Sequence, residues 1–348
     1  MAKDLRVAVL GLGMGMHHCG ALAKAKGAVL AAVCDQDEER LSKAVTQYDV
    51  KGYLKFKDLL KDDEIDAVCV CTESGTHTKF ALKVAEAGKH LCIEKPVDID
   101  LDRIAILQKA VKKAGVKCAC VYQSRLDPLN AALKKAIDGG QLGKLIGAHA
   151  ALPWLRLDKY YSGPHGSWKG TWKLDGGGSL MNQGIHTVDL LQWFAGPVKS
   201  VFGYAGVFNH KIEAEDQAVA VLKFANGALG TLYTTTCAVP ESVQRFYLYG
   251  TEGSFVKVGS ALESYEMGPK KDREKMMKMS GGSVRRGDAA GKDPMAVSAD
   301  GHTLILQDLA AAVKDNRDPI ITIEHAKHSV EIVRAIYKSN KTRKEVRV

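Results

Sequence analysis

The feature that most constrains the fold is a regular alternation, from Leu5 to Val121, of short apolar runs with segments of helical period. Continuously apolar runs are typical of strands buried on both faces, and helices between them supply the crossovers that a parallel sheet needs. The region therefore predicts an α/β doubly wound domain over residues 1–123, with helices on both faces of the sheet. Its expected strands are 5–10, 29–34, 66–71, 90–93 and 117–121.

Beyond residue 124 the pattern changes to longer strands joined by hairpin-type turns such as "FANGALG" and "YGTEGSF". Such turns join antiparallel neighbours, so residues 124–348 predict an α+β domain with an open, mostly antiparallel sheet. The polar segment 259–299 is expected to be weakly structured, and the C-terminal helix to pack back on the first domain. The expected strands are 144–152, 198–208, 214–225, 228–236, 243–250 and 253–258, and the expected helices are 127–138, 300–315 and 324–340.

The 348-residue chain carries a net charge of +9, and the distribution of this charge argues against nucleic-acid binding. Residues 268–293 (net +4) and 327–348 (net +5) hold the whole excess, and neither alternates basic with aromatic residues as a stacking platform does. The chain has no signal-peptide pattern and no apolar run near the roughly 20 residues that span a bilayer. The sequence predicts a cytoplasmic protein with no membrane or nucleic-acid partner.

Seven of the eight cysteines precede residue 121, mostly inside apolar runs such as "VCVC" and "KCACV". The sequence has no CxxC pair and no Cys/His cluster with metal-ligand spacing. Cysteines in such runs typically act as small buried hydrophobes in a reducing compartment. We therefore expect neither disulfides nor a metal site.

A glycine cluster in "VAVLGLGMGMHHCGAL" follows the first strand and precedes a helix. Glycines there permit a tight turn and let a pyrophosphate approach the helix N-terminus. The spacing is G-x-G-x-G, with Met16 where the usual third glycine would fall. Asp35 ends the second strand, where a carboxylate accepts hydrogen bonds from a ribose diol and repels a 2′-phosphate. The pattern predicts a Rossmann domain that binds NAD rather than NADP. The expected contacts are Gly11, Gly13, Met14, Gly15, Met16, Asp35 and Arg40.

The segment "HLCIEKP" ends a buried strand with a charged pair. Ligands of doubly wound sheets bind outside the carboxyl ends of the strands, so Lys95 is expected beside the nicotinamide ring. A lysine there can polarise a hydroxyl group or take part in proton transfer. Glu94 is expected at the strand end beside the cofactor, and Pro96 is expected to form a cis or kinked peptide.

The chain resembles the Gfo/Idh/MocA family of oxidoreductases, which includes glucose–fructose oxidoreductase, inositol dehydrogenase and sugar-nucleotide dehydrogenases. The resemblance covers essentially the whole chain and is carried by "GLGMGMHH", "CTESGTHTKFALKVAEAGKHLCIEKP", "YQSRLDP", "DGGGSLMNQGIHTVDLLQWFAG" and "YGTEGSF". It implies that Lys95 and a histidine of the second domain flank the reacting carbon. It also implies a homodimer or homotetramer, packed through the open face of the second-domain sheet.

The histidine lies in "DGGGSLMNQGIHTVDLLQWFAG", which predicts a helix from about Gly178 to a Gly-Pro stop. Asn182, His186 and Asp189 share one face of that helix. A lone helical histidine is often structural, but the resemblance identifies His186 as catalytic. Many family members have Asp where this chain has Asn182, so either Asn182 orients the substrate hydroxyl or Lys95 takes a larger share of the proton transfer. The sugar-nucleotide branch tends to have Asn there, which favours a large substrate.

The resemblance adds further candidates. It implies cofactor contacts from Thr72 and His77, which follow a strand, and places Gln123 near nicotinamide and Arg125 near the substrate. The segment "KYYSGPHGSWKGTWKLDGGG" forms either a sugar-stacking wall with one cation or ordinary loop packing. The residues of that wall are Tyr160, Trp168, Lys169 and Trp172.

The predicted reaction is NAD-dependent oxidation of a secondary ring hydroxyl of a sugar, cyclitol or sugar nucleotide to a ketone. Hydride passes to nicotinamide while His186, assisted by Lys95, removes the hydroxyl proton. Two alternatives stay open. One is a glycosidase that keeps NAD bound and oxidises its sugar transiently. The other is a non-catalytic NAD-sensing protein, which the presence of both Lys95 and His186 disfavours.

Overall fold

The computed structural model describes residues 3–163, 166–280 and 300–348. The chain divides into two units, one of residues 1–123 and 298–327 and the other of residues 124–297 and 328–348. The long C-terminal helix begins in the first unit and ends in the second. In the described ranges, none of the helices combines the length and the apolar composition that a membrane span requires.

The first unit is built on a six-stranded sheet of order β3-β2-β1-β4-β5-β6, in which all neighbours are parallel. The predicted doubly wound domain is thus confirmed. Its strands are β1 (Leu5–Leu10), β2 (Ala28–Cys34), β3 (Lys51–Tyr53), β4 (Ala67–Val70), β5 (His90–Ile93) and β6 (Cys118–Cys120). Its helices are α1 (Gly15–Leu22), α2 (Glu38–Tyr48), α3 (Phe56–Leu60), α4 (His77–Glu86), α5 (Leu101–Ala114) and α9 (Asp300–Lys314).

Local sequence signals begin and end the longer helices of this unit. The Asp37 carboxylate accepts hydrogen bonds from the first N–H groups of α2, and Asp100 does the same for α5. Gly115 ends α5 in the left-handed conformation. Strand β3 was not predicted, because its three residues lie at the sheet edge and are mostly exposed, so they form no apolar run.

The second unit contains an eight-stranded sheet of order β13-β12-β11-β7-β10-β9-β8-β14. The pairing is antiparallel except between β7 and β10, so the predicted mostly antiparallel sheet is confirmed. Its strands are β7 (Leu145–Pro153), β8 (Val198–Gly206), β9 (Gln217–Phe224), β10 (Leu229–Thr235), β11 (Arg245–Gly250), β12 (Ser254–Val258), β13 (Ala261–Glu266) and β14 (Val346–Arg347). The helices are α6 (Pro128–Asp138), α7 (Ile185–Ala195), α8 (Lys270–Met279) and α10 (Ile323–Thr342).

One face of this sheet is open. Along β9, Ala218, Ala220 and Leu222 are buried, whereas the alternating Val219 and Val221 are 46% and 54% exposed. The alternation is typical of a strand with one covered face. Assembly of copies through the open face stays a prediction.

The expectation that segment 259–299 is weakly structured was wrong for its first half. Residues 261–266 form β13, which pairs with β12, and residues 270–279 form α8. The buried residues of β13, Ala261, Leu262 and Tyr265, do not alternate with polar ones, and α8 is mostly charged and buries Met276, so the hydrophobic pattern of both elements is faint. Residues 281–299 lie outside the described ranges.

Candidate active site

The glycine turn after β1 has the shape that a pyrophosphate requires. Gly11 has φ +86°, and a Cβ there would lie 2.7 Å from the Cys71 carbonyl oxygen. At Gly13 a Cβ would meet only the Arg40 guanidinium, at 3.9 Å, so this stretch of backbone is accessible. At Gly15 it would lie 2.7 Å from the Val9 side chain. Gly15 therefore allows the close helix–strand packing that the third glycine of the usual motif provides.

Asp35 lies directly after β2 with its side chain buried against this turn. Its carboxylate accepts hydrogen bonds from the backbone N–H groups of Leu12, at 2.6 Å, and Asp37, at 2.9 Å. A carboxylate has about four acceptor sites, so this one can still accept from ribose hydroxyls. Arg40, in the first turn of α2, lies near both Gly13 and Asp37. The predicted dinucleotide residues are thus brought together in the first unit.

Gln123 begins a short 3-10 helix after β6. Gly301 of α9 packs so closely on it that a Cβ at Gly301 would lie 2.9 Å from the Gln123 side chain. The side-chain carbonyl oxygen of Gln123 is buried and has no hydrogen-bond partner among the described residues. An orphaned acceptor is costly, and the carboxamide N–H₂ of nicotinamide is a donor that fits it.

At the end of β5, the Lys95–Pro96 peptide is cis and Lys95 is partly exposed. Glu94 was expected to contact the cofactor, but the structure gives it partners inside the first unit. One carboxylate oxygen lies 2.8 Å from His18 Nε2 and 3.4 Å from His302 Nε2. The other accepts from the Lys95 backbone N–H at 3.0 Å. Glu94 thus braces the chain at Lys95.

The Glu94 carboxylate and the His18 imidazole form a buried hydrogen-bonded pair. Burial alone would raise the pKa of Glu94, but the hydrogen bonds from His18 and His302 hold it well below the usual range. Burial would lower the pKa of His18, yet its electrostatic interactions with the neighbouring thiols, led by Cys71, raise it well above its ordinary value. Hydrogen bonding from Cys69 lowers the pKa of the buried Cys92 thiol.

His77, another expected cofactor contact, also has internal partners. Its Nδ1 lies 2.7 Å from the Pro96 carbonyl oxygen and its Nε2 lies 3.0 Å from the carbonyl oxygen of Thr72. The ring is buried and links the loop after β4 to the loop that carries Lys95. The Thr72 hydroxyl accepts from Thr76 at 2.8 Å and is partly exposed.

In the second unit, the helix expected from about Gly178 is not one continuous α-helix. Residues 179–183 form a π-helical turn, and α7 begins at Ile185. The buried Glu215 carboxylate accepts from the N–H groups of Gly178, at 3.0 Å, and Leu180, at 2.7 Å. It thereby fixes the start of the segment in a non-α form. His186 is partly exposed in the first turn of α7, and π-turns are frequent at functional sites.

The polar residues around His186 have separate partners. Asp189 accepts from Arg125 Nε and Nη2, both at 2.7 Å, and from Ser329 at 3.0 Å. Arg125 is 6% exposed, so the expected substrate contact is instead half of a buried ion pair. The Asn182 amide donates to both oxygens of Asp175, at 2.8 and 3.0 Å.

The expected aromatic wall is only partly assembled. Lys169 Nζ lies 3.8 Å from the centre of the Tyr160 ring, and the Gln183 amide donates to the Tyr160 hydroxyl at 3.0 Å. Burial raises the pKa of that hydroxyl to about 12. Trp172 packs against the Tyr337 ring instead, and Trp168 is partly exposed.

Sequence reasoning missed His18, His302, Asp175 and Glu215. Two of them had a local signal, because "GMHH" puts a histidine in the helix after the glycine turn and "LDGGG" puts an acid before three glycines. The sequence does not pair His302 with Glu94, because these residues are distant in the chain and meet only in the folded unit.

Comparison with known proteins gives two family matches and several relatives. Residues 5–122 match the model described as "Oxidoreductase family, NAD-binding Rossmann fold", and residues 130–256 match "GFO/IDH/MocA C-terminal domain". Myo-inositol 2-dehydrogenase of Thermotoga maritima is 31% identical, over 72% of this chain and 74% of that protein. Scyllo-inositol 2-dehydrogenase (NAD(+)) of Bacillus subtilis is 29% identical, over 73% and 74%. The WlbA dehydrogenase of Bordetella pertussis, solved with NADH and UDP-GlcNAcA, matches with a TM-score of 0.87 and 28% identity over 99% of both chains.

Proposed function

We propose that this chain oxidises a secondary ring hydroxyl to a ketone. The premise is that it belongs to the Gfo/Idh/MocA family of NAD-dependent oxidoreductases, which act on CH–OH groups. The substrate class is a sugar, cyclitol or sugar nucleotide. Inositols and UDP-linked sugar acids are the first candidates, because relatives act on the former and a similar structure holds one of the latter.

One observation carries the proposal. The glycine turn, Asp35, Lys95 and Gln123 follow β1, β2, β5 and β6, all at the carboxyl edge of one parallel sheet. Open α/β sheets bind their ligands at that edge. This edge therefore carries a glycine turn for a dinucleotide, a carboxylate for the ribose, a lysine and an amide oxygen without a partner. Together these groups are suited to hydride transfer.

Each of these residues has a distinct role in holding NAD, which supplies the nicotinamide ring as hydride acceptor. The turn at Gly11 and Gly13 exposes backbone for the pyrophosphate, and Asp35 accepts from the ribose hydroxyls. Gln123 accepts from the carboxamide, which satisfies its buried oxygen. Lys95 binds the oxygen of the reacting hydroxyl group, and its charge favours loss of the hydroxyl proton.

In the second unit, His186 is the proposed acceptor of the hydroxyl proton. The ion pair of Asp189 with Arg125 fixes α7, and so fixes the first helical turn from which the imidazole projects. Asn182 is held by Asp175, so its carbonyl oxygen is the part of its amide proposed to contact substrate. Tyr160, Lys169, Trp168 and Trp172 remain proposed substrate contacts, whereas Arg125 is withdrawn from that set.

The test is NADH formation from NAD, followed by absorbance, with inositols, free hexoses, glycosides and UDP-sugars as substrates. Lys95→Ala and His186→Ala are measured beside Lys109→Ala, which changes an exposed lysine of α5. We expect a substrate-dependent rise that both site variants lose and the control keeps. Release of aglycone from a glycoside without NADH would instead favour the glycosidase. If neither NADH nor aglycone forms while NAD still binds, the result would favour a sensing protein.

A further inference from the structure

Three side chains with metal-binding atoms converge inside the first unit. They are His18 of α1, Cys69 of β4 and Cys92 of β5, and their donor atoms lie within 4.8 Å of one another. All three are buried, with 1% exposure for His18 and none for the two cysteines. The three residues lie far apart in the chain, so they form no sequence motif with metal-ligand spacing.

The sheet register explains why only some thiols converge. Cys69 and Cys92 are direct partners in the ladder between β4 and β5, so their side chains lie on the same face. Cys118 pairs with Leu91, which places it on the opposite face from Cys92. Cys71 has its sulfur 3.9 Å from a Cβ built on Gly15 of α1, so it lies on the same side as His18.

His18 is held as a metal ligand would be. Its Nε2 is 2.8 Å from the Glu94 carboxylate, and its Nδ1 is buried with no hydrogen-bond partner in the described ranges. Histidines that bind metals almost always donate their other ring N–H to a carboxylate or carbonyl, which fixes the tautomer and the ring orientation. Glu94 supplies this outer-shell contact, and the orphaned Nδ1 is the nitrogen left for an ion.

We propose that His18, Cys69 and Cys92 bind one Zn²⁺ ion, with Glu94 as the outer-shell carboxylate. Two thiolates and one imidazole suit zinc, whereas an oxygen-preferring cation would not select this set. A tetrahedral zinc with bonds of about 2.1–2.3 Å separates its ligands by roughly 3.7 Å. The donors therefore move together by at most about 1 Å. Binding releases the protons of the coordinating thiols and, where His18 is protonated, the proton of its Nδ1.

The test is zinc content after incubation of the purified full chain with Zn²⁺ and removal of excess metal by gel filtration. We expect one zinc per chain in the parent and in Cys118→Ser, a buried cysteine on the opposite face. We expect none in Cys69→Ser or Cys92→Ser. With Co²⁺ as probe, the parent should show thiolate-to-cobalt charge-transfer absorption, and Cys92→Ser should lose it.

Glu94→Gln keeps every proposed ligand, so it tests the site without removing a core thiol. Loss of an outer-shell carboxylate typically weakens zinc binding about 10–100-fold, and competition with a chelator measures this change. Absence of bound zinc in the parent would overturn the proposal. Equal zinc in the parent and both cysteine variants, cobalt binding without thiolate absorption, or unchanged affinity in Glu94→Gln would also overturn it.

Discussion

Two buried carboxylates lie next to the two residues proposed to handle the proton, and they are neutralised in different ways. Glu94 precedes Lys95 in the first unit and is paired with the imidazoles of His18 and His302. Asp189 lies one helical turn after His186 in the second unit and is paired with the guanidinium of Arg125.

The difference lies in how each partner titrates. An imidazole gains or loses its charge near neutral pH and can bind a metal, whereas a guanidinium keeps its charge from acidic to alkaline pH. The support of Lys95 is therefore sensitive to pH and metal, and the support of His186 is a constant ion pair. The comparison teaches that of two buried acids one can depend on pH and the other not, because their partners differ.

The largest effect is expected from breaking the constant pair. Asp189→Ala leaves the Arg125 charge buried without its partner, so we expect a loss of about 3–5 kcal/mol in the free energy of unfolding. Urea unfolding measures this loss. The double variant Arg125→Met with Asp189→Leu removes both charges and should recover most of the stability. A loss below about 1 kcal/mol in the single variant would show that the pair does not fix α7.

The Glu94 pair sharpens the comparison through its pH dependence. The lowered pKa of Glu94 means that its contribution is present above the ordinary carboxyl range and is lost at lower pH. The raised pKa of His18 means that its contribution is full below about pH 6.5 and is lost as pH rises through that raised value. Glu94→Gln should therefore cost about 3 kcal/mol near pH 6 and less at alkaline pH.

The matched control is Asp189→Asn, unfolded in urea at the same pH values. Because a guanidinium does not lose its charge in this range, the cost of this change should be nearly constant from about pH 6 to pH 9. If the loss in free energy of unfolding fell equally with rising pH in both variants, the Glu94 and Asp189 pairs would not differ in pH sensitivity.

A third change tests why this chain has Asn rather than Asp at position 182. In Asn182→Asp two carboxylates would meet at the distance of the present hydrogen bonds to Asp175. One of them must then keep a proton or repel the other, so we expect a loss of about 2–3 kcal/mol at neutral pH. The double variant Asp175→Asn with Asn182→Asp restores the amide–carboxylate pair and should regain much of that loss. Thermal unfolding that leaves Asn182→Asp as stable as the parent would contradict this explanation.

The smallest effect concerns Glu215, the carboxyl that holds the π-turn. Burial raises its pKa to about 7, partly offset by donors from Leu180, Tyr337 and Gly178. The folded chain therefore holds a proton that the unfolded chain has lost, and stability falls as pH rises. Between about pH 5 and pH 8 this group should cost the parent about 2 kcal/mol relative to Glu215→Gln. Parallel stability curves for the two proteins would show that Glu215 does not titrate in this range.

The fold was largely predictable because its strongest signals are local. Continuous apolar runs located five of the six parallel strands, and the glycine turn with Asp35 identified the nucleotide-binding edge. Among the missed elements, β3 and α8 bury few apolar side chains, and the buried residues of β13 do not alternate with polar ones, so none of the three has a periodic hydrophobic pattern.

The candidate site was predictable only where chemistry follows from adjacent residues. Lys95 and His186 lie in recognisable motifs. The adjacent acids Glu94 and Asp189, however, find their partners on other elements of the fold. Arg125 was expected to contact substrate because it follows a parallel strand, yet the fold places Asp189 against it. Pairings of this kind depend on tertiary packing, which one sequence does not display.

The most direct test of the central claim is transfer of deuterium from the oxidised carbon of a substrate to NAD. It uses the first compound that reduces NAD in the substrate panel, labelled at the ring carbon that bears the reacting hydroxyl. We predict one deuterium in each NADH formed by the parent and almost no labelled NADH from His186→Ala. Turnover of the labelled compound with no deuterium in NADH would contradict the account, because the reaction would then not be the hydride transfer that this site is proposed to perform.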